Sequence, residues 1–253
     1  MSVIDHVRTP RLRRRWLFVG GGSVVSLVVG SSAVAGALGS RAALAWAAVV
    51  SPLLGWEAWF FHSRREEPTL AAIRAGNAVT LLRGWLYAAV GGFVVLQPAA
   101  AVAWAPSVCY GVGAALDQVD GRLARHTSSE SDLGRHLDMA IDTLGFVVAP
   151  AVAVVWGRLP VWYLLLTAAR HLFRLGRGLR RRRDRPVHEL APNALRRNLS
   201  GLQMAFLAVA LLPVVPTGVV TPAAAALLAP FLAMFVRDYL VVAGHYPATE
   251  TDR

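Results

Sequence analysis

Apolar runs of membrane length recur along this chain, parted by short arginine-rich stretches, and they constrain its fold more than any other feature. A bilayer core of roughly 30 Å takes about 20 predominantly apolar residues in a helix, and an open sheet cannot satisfy its backbone there. Eight such runs can be drawn, at 16–38, 42–61, 78–97, 99–116, 138–155, 159–175, 201–215 and 222–242. The hydrophobic content of 55% and the formal charge of +11 agree, because the charge is gathered between the runs. Positive-inside placement and acidic headgroups account for that pattern better than nucleic-acid binding does. The single cysteine, Cys109, lies inside an apolar run, which excludes an intrachain disulfide.

These runs predict an all-α integral membrane protein. Residues 1–15, ending in R-L-R-R-R, read as a disordered, basic cytoplasmic arm. The first run, with its S-A-V-A-G-A stretch, resembles a secretory or twin-arginine signal, but a second run follows almost at once. An uncleaved two-helix hairpin over 16–62 is therefore preferred. Residues 63–76 suit an interfacial amphipathic segment, and 246–253 form a polar tail. The connections after runs one, three, five and seven are short, with Arg41 and Arg158 nearly their only charges, while the other connections carry the arginine clusters. That asymmetry places both termini and the Asp117–Asp142 connection on the cytoplasmic side of the cell membrane. Prolines in runs seven and eight are expected to kink those helices.

Chemistry concentrates between runs four and five. Asp117 and Asp120 are spaced i, i+3, and Asp138 and Asp142 i, i+4, so each pair shares a helix face. Acids at the edge of a bilayer are costly and point to function. Four of them converging, with no lysine in sight to pair them, call for a divalent cation, and hard oxygen donors favour Mg²⁺ or Mn²⁺. Two such ions would steady a diphosphate. Gly121 leaves the helix face open beside Asp120, Ala124 lies one turn further on, Arg125 supplies a fixed charge suited to phosphate, and Gly134 lies one turn before Asp138. From spacing alone, solvated interfacial acids and the ion path of a cation-coupled transporter remain alternatives.

The stretch resembles, residue for residue, the signature of the CDP-alcohol phosphatidyltransferases, D-x2-D-G-x2-A-R-x8-G-x3-D-x3-D. The matched positions are Asp117, Asp120, Gly121, Ala124, Arg125, Gly134, Asp138 and Asp142. Upstream, Asn77, Thr80 and Arg83 resemble the family's N-x-x-T-x-x-R; downstream, Arg197, Ser200 and Gln203 resemble its K-x-x-T-x-x-Q, with Arg for Lys and Ser for Thr. The resemblance implies a six-helix phosphatidyltransferase core over 77–245, preceded by two extra transmembrane helices. It implies a membrane enzyme of phospholipid biosynthesis that transfers a phosphatidyl-type group from a CDP-linked lipid to an alcohol and releases CMP. Asp117, Asp120, Asp138 and Asp142 would hold Mg²⁺ or Mn²⁺, two ions in all. Asp142 would also act as general base, while Asn77, Thr80, Gly121, Ala124, Arg125 and Gly134 would border the nucleotide. A homodimer through the core helices is implied as well, and G-V-G-A-A-L before Asp117 allows close helix packing.

For the acceptor, Arg83, Arg170, Arg174 and Arg197 are candidates to cradle a phosphate, which favours a phosphorylated polyol such as glycerol 3-phosphate or inositol phosphate. Arg177 and Arg180–Arg183 read equally well as snorkelling or positive-inside residues. Arg237 and Asp238 read as a local ion pair, and Trp16, Trp56, Trp85, Trp104, Trp156 and Trp162 as an aromatic belt. Under the metal-ligand reading, Asp120→Asn abolishes turnover while folded protein still accumulates in the membrane. Near-normal activity of that variant, in a CMP-release assay, contradicts the assignment.

Overall fold

The computed structural model describes residues 3–63, 75–127, 132–190 and 193–245, with side chains described for 17–63, 77–118, 133–190 and 193–245. Within these residues there are eight α-helices and no strand. They are α1 (Val3–Leu38), α2 (Ser40–Ser63), α3 (Ala75–Gly92), α4 (Ala105–Thr127), α5 (Asp132–Val155), α6 (Leu165–Arg182), α7 (Ala194–Ala210) and α8 (Thr217–Val242). The chain divides into two compact units, Met1–Val152 and Ala153–Arg253.

Among the described residues, five helices have the length and apolarity to cross a bilayer: Leu17–Leu38, Ser40–Ser63, Asn77–Val95, Leu133–Val155 and Thr217–Val242. The sequence leads to an expectation of eight membrane-spanning runs, but α4, α6 and α7 do not reach that length and apolarity, being apolar over only part of their length. The second half of α4 carries the first aspartates, α6 runs on into Arg180–Arg182, and α7 opens with Arg196 and Arg197. Arginine and leucine are good helix formers, so these helices continue through charged turns. For the same reason residues 3–15 are the start of α1, where the sequence suggested a disordered arm. The proposed interfacial segment and the C-terminal tail fall mainly on 64–74 and 246–253, outside the described residues.

In the first unit, Gly39, at φ +88°, turns the chain between α1 and α2, a conformation that only glycine adopts freely. Trp46 of α2 then fills the space left by Gly30 of α1 and Gly92 of α3, and its indole N–H donates to the Ala89 carbonyl at 3.2 Å. On its other side α3 meets α4 and α5 through Tyr87, which is fully buried between Gly113 and Gly145. The Gly113 expected to permit close helix contact is thus engaged within its own chain. Trp85 likewise packs on Gly22 and Phe18, and Trp156 is buried, so neither belongs to an exposed aromatic belt.

In the second unit, buried and part-buried polar contacts tie the helices and their connections together. Arg158 donates to the carbonyls of Ala210, Leu212 and Val215, covering the C-terminal end of α7 and the turn after it. Pro213 and Pro216 lie in that turn, so α7 ends before the proline expected to kink it, whereas Pro222 and Pro230 are inside α8. Tyr163 donates to Gln203, whose amide donates to the Leu227 carbonyl at 2.9 Å, in the turn that Pro230 disrupts. Asp238 pairs with Arg196 of α7 at 2.8 Å, a link between helices where the sequence suggested a local pair with Arg237.

A methyl group at Gly113 would stand 2.5 Å from Tyr87 Cε1, and one at Gly145 would stand 2.8 Å from Cε2. Each glycine-to-alanine change therefore overpacks the α3–α4–α5 contact and costs about 1–3 kcal/mol. The expected outcome is a lower thermal unfolding midpoint in detergent, partly restored when Tyr87→Val is added.

Candidate metal centre on α3, α4 and α5

The packing of Tyr87 sets the register of the acids. Gly113 precedes Asp117 by one turn on α4, Gly145 follows Asp142 by one turn on α5, and Tyr87 follows Arg83 by one turn on α3. Three helices held together at one level by a tyrosine between two glycines therefore present an arginine and the acids to one another at the next. Arg83 Nη1 lies 2.5 Å from Asp138 Oδ1. Its Nη2 lies 2.5 Å from Asp142 Oδ1 and 2.8 Å from Asp117 Oδ1. The guanidinium is 0% exposed, while the three carboxylates are 25%, 43% and 25% exposed. The cation therefore lies beneath, and the acids line the accessible side.

Asp117, Asp138 and Asp142 can each offer an oxygen such that all three lie within 4.8 Å of one another. Opposite ligands of an octahedral Mg²⁺ stand about 4.2 Å apart, so small carboxylate rotations would close the cluster on a hard cation. Carboxylate oxygens are also the donor set that Mg²⁺ and Mn²⁺ prefer.

Among the other residues singled out in the sequence, Asn77 and Thr80 are buried on α3 and precede Arg83 at successive spacings of three. Gly134 opens the face of α5 that carries Asp138 and Asp142. Asp120, Gly121, Ala124 and Arg125 lie on α4, and their side chains are outside the described set. Arg170 and Arg174 lie four apart on α6, and Arg197 lies on α7, all in the second unit. Arg180, expected as a surface charge, donates to the carbonyls of Pro186 and Ala243, the latter at the C-terminal end of α8.

Two features escaped the sequence reading. The first is the counter-charge of the acids, for which no lysine was apparent: it is Arg83, 34 residues before Asp117. Its place in N-x-x-T-x-x-R gave a signal, but only the common register of α3, α4 and α5 shows which groups it meets. The second is Glu57 of α2, fully buried against Gly84, with neither carboxylate oxygen hydrogen-bonded.

Fold and site together define a multi-pass, all-α membrane protein with a metal-competent aspartate cluster. It belongs to the CDP-alcohol phosphatidyltransferase family, whose model matches residues 74–242, about two thirds of the chain and the whole of α3 to α8. Searches of curated proteins and of solved structures find no match. The family transfers a phosphatidyl group from a CDP-alcohol to an alcohol in phospholipid synthesis and uses divalent metal ions, which favours an enzyme over a cation-coupled transporter. The hairpin of α1 and α2 lies outside the match.

If these carboxylates are the ligands, Asp138→Asn weakens Mn²⁺ binding at least about tenfold, the scale seen even for outer-shell changes around metals. Electron paramagnetic resonance of Mn²⁺ with the purified protein measures this directly. Unchanged binding contradicts the assignment.

Proposed function

We propose that this protein is a phosphatidyltransferase that passes a phosphatidyl-type group from a CDP-linked lipid to a phosphorylated polyol, glycerol 3-phosphate or inositol phosphate, and releases CMP. The observation that carries the reading is the convergence of Asp117, Asp138 and Asp142 within 4.8 Å, inside the segment that matches the family. Asp120 completes the metal-binding set, and Asn77, Thr80, Gly121, Ala124, Arg125 and Gly134 border the nucleotide. Two bound Mg²⁺ or Mn²⁺ ions would offset the charge of the diphosphate and of the departing CMP.

Within this reading the acceptor hydroxyl oxygen bonds to the phosphorus of the phosphatidyl group as the P–O bond to CMP breaks. Asp142 takes the hydroxyl proton. Its 25% exposure supports that role, because the carboxylate is reachable from the open side of the cluster while Arg83 orients it from below. Arg170, Arg174 and Arg197 hold the acceptor phosphate, with charge and spacing as their support. The arginine clusters between the helices support an active site and both termini on the cytoplasmic face of the cell membrane. The enzyme works as a homodimer.

The test is CMP release by protein reconstituted in lipid with a CDP-lipid and Mg²⁺, offered glycerol 3-phosphate, inositol 1-phosphate, serine or inositol one at a time. Metal-dependent release with a phosphorylated polyol, lost by at least about 10²-fold in Asp142→Asn, is the expected result. Release with serine or free inositol alone contradicts the acceptor assignment, and an active Asp142→Asn contradicts the base.

A further inference from the structure

We infer that Arg83 is a resident cation of the aspartate cluster, holding the acids together in the metal-free protein and limiting how tightly they take a divalent ion. The inference rests on reading Asp117, Asp138 and Asp142 as metal ligands. It concerns what governs that site, and it gives Arg83 a role other than binding acceptor phosphate.

The contacts themselves carry it. One guanidinium meets three carboxylates from two helices, at 2.8, 2.5 and 2.5 Å. Each contact uses an Oδ1 atom, and one of the arginine nitrogens, Nη2, serves both Asp117 and Asp142. The inner Nε–H is buried and has no acceptor, so the hydrogen bonding of the guanidinium is turned toward the acids. A planar guanidinium offers donors in a fork and stays charged throughout the physiological range. It therefore supplies a permanent positive charge in the place where three negative ones converge.

Two consequences follow, of opposite sign. Without metal, Arg83 offsets the repulsion among the acids, so its loss destabilises the apo protein. With metal, the same charge stands a few ångströms from the incoming cation and competes for the same carboxylates, so its loss tightens metal binding. A residue that simply braced the helices would lower stability without tightening binding. A residue that helped to hold the metal would weaken binding on removal. Only a competing resident cation gives the crossed pattern. Such a cation also suits a site that takes its ions together with the diphosphate, since the acids need not collapse or scatter while they wait.

The experiment compares wild type, Arg83→Gln and Arg83→Lys, purified in detergent, for Mn²⁺ affinity by electron paramagnetic resonance and for unfolding midpoint in EDTA and in Mg²⁺. Arg83→Gln should bind Mn²⁺ about tenfold more tightly, the direction expected on removing a nearby like charge. It should also unfold at a lower temperature in EDTA and gain more than wild type when Mg²⁺ is added. Arg83→Lys keeps the charge but not the fork, so its affinity should fall closer to wild type than that of Arg83→Gln. Equal or weaker Mn²⁺ binding by Arg83→Gln overturns the inference while wild-type binding leaves the metal centre standing. Absence of Mn²⁺ binding by wild type overturns both. Should Arg83→Gln fail to fold, guanidinium nitrogen resonances of ¹⁵N-arginine-labelled wild type decide the matter, with Arg83 assigned through Arg83→Lys. Its resonances should shift on Mg²⁺ titration, and unmoved resonances reject the inference.

Discussion

A single buried cation under three carboxylates is the interaction on which the first half of this molecule depends. Like charges on α4 and α5 would push those helices apart, and a bare arginine on α3 would be costly to bury alone. Together they are compatible, but only in one register. Removing one partner of a buried ion pair typically costs about 3–5 kcal/mol, because a charge is left uncompensated. The register is supplied by apolar packing one turn away, where Tyr87 lies between Gly113 and Gly145. Packing and electrostatics thus specify the same arrangement. The asymmetry of exposure then gives the cluster a direction: Arg83 is sealed in, and the acids face outward.

The second half is fastened by polar contacts of another kind. Arg158 and Arg180 bind carbonyls at the C-terminal ends of α7 and α8, where unpaired acceptors and the helix dipole both favour a cation. Gln203 joins a tyrosine hydroxyl to a carbonyl near a proline in α8. Asp238 answers Arg196. These are short-range solutions to backbone and charge satisfaction. They also show why a basic composition in a membrane protein is a poor guide to ligands: several arginines are occupied by the chain itself.

Much of this was legible from residue order. Apolar runs gave the helices, because in lipid no other single-segment structure satisfies the backbone. The spacing of the aspartates gave two same-face pairs, and the surrounding glycines and arginine gave the family. What residue order concealed was tertiary. The start of α4 at Ala105 and the helical continuation of α6 through Arg182 depend on where charged turns become favourable, which hydropathy does not report. The partner of the acids could not be read because Arg83 lies 34 residues before Asp117 in sequence, although the pairing of α3 with α4 makes them neighbours. The buried Glu57 was likewise invisible, since nothing in A-W-F-F-H or the residues before it says which side of α2 faces Gly84.

The central claim is that the accessible side of this cluster is a divalent-metal site serving a CDP-alcohol. Crystals or particles of the protein with Mn²⁺ and a CDP-lipid, examined for anomalous scattering at the manganese edge, test it most directly. The account predicts manganese among Asp117, Asp138 and Asp142, on the side away from Arg83, with the diphosphate of the nucleotide against it. Manganese bound elsewhere, or a nucleotide seated away from these carboxylates, would contradict it.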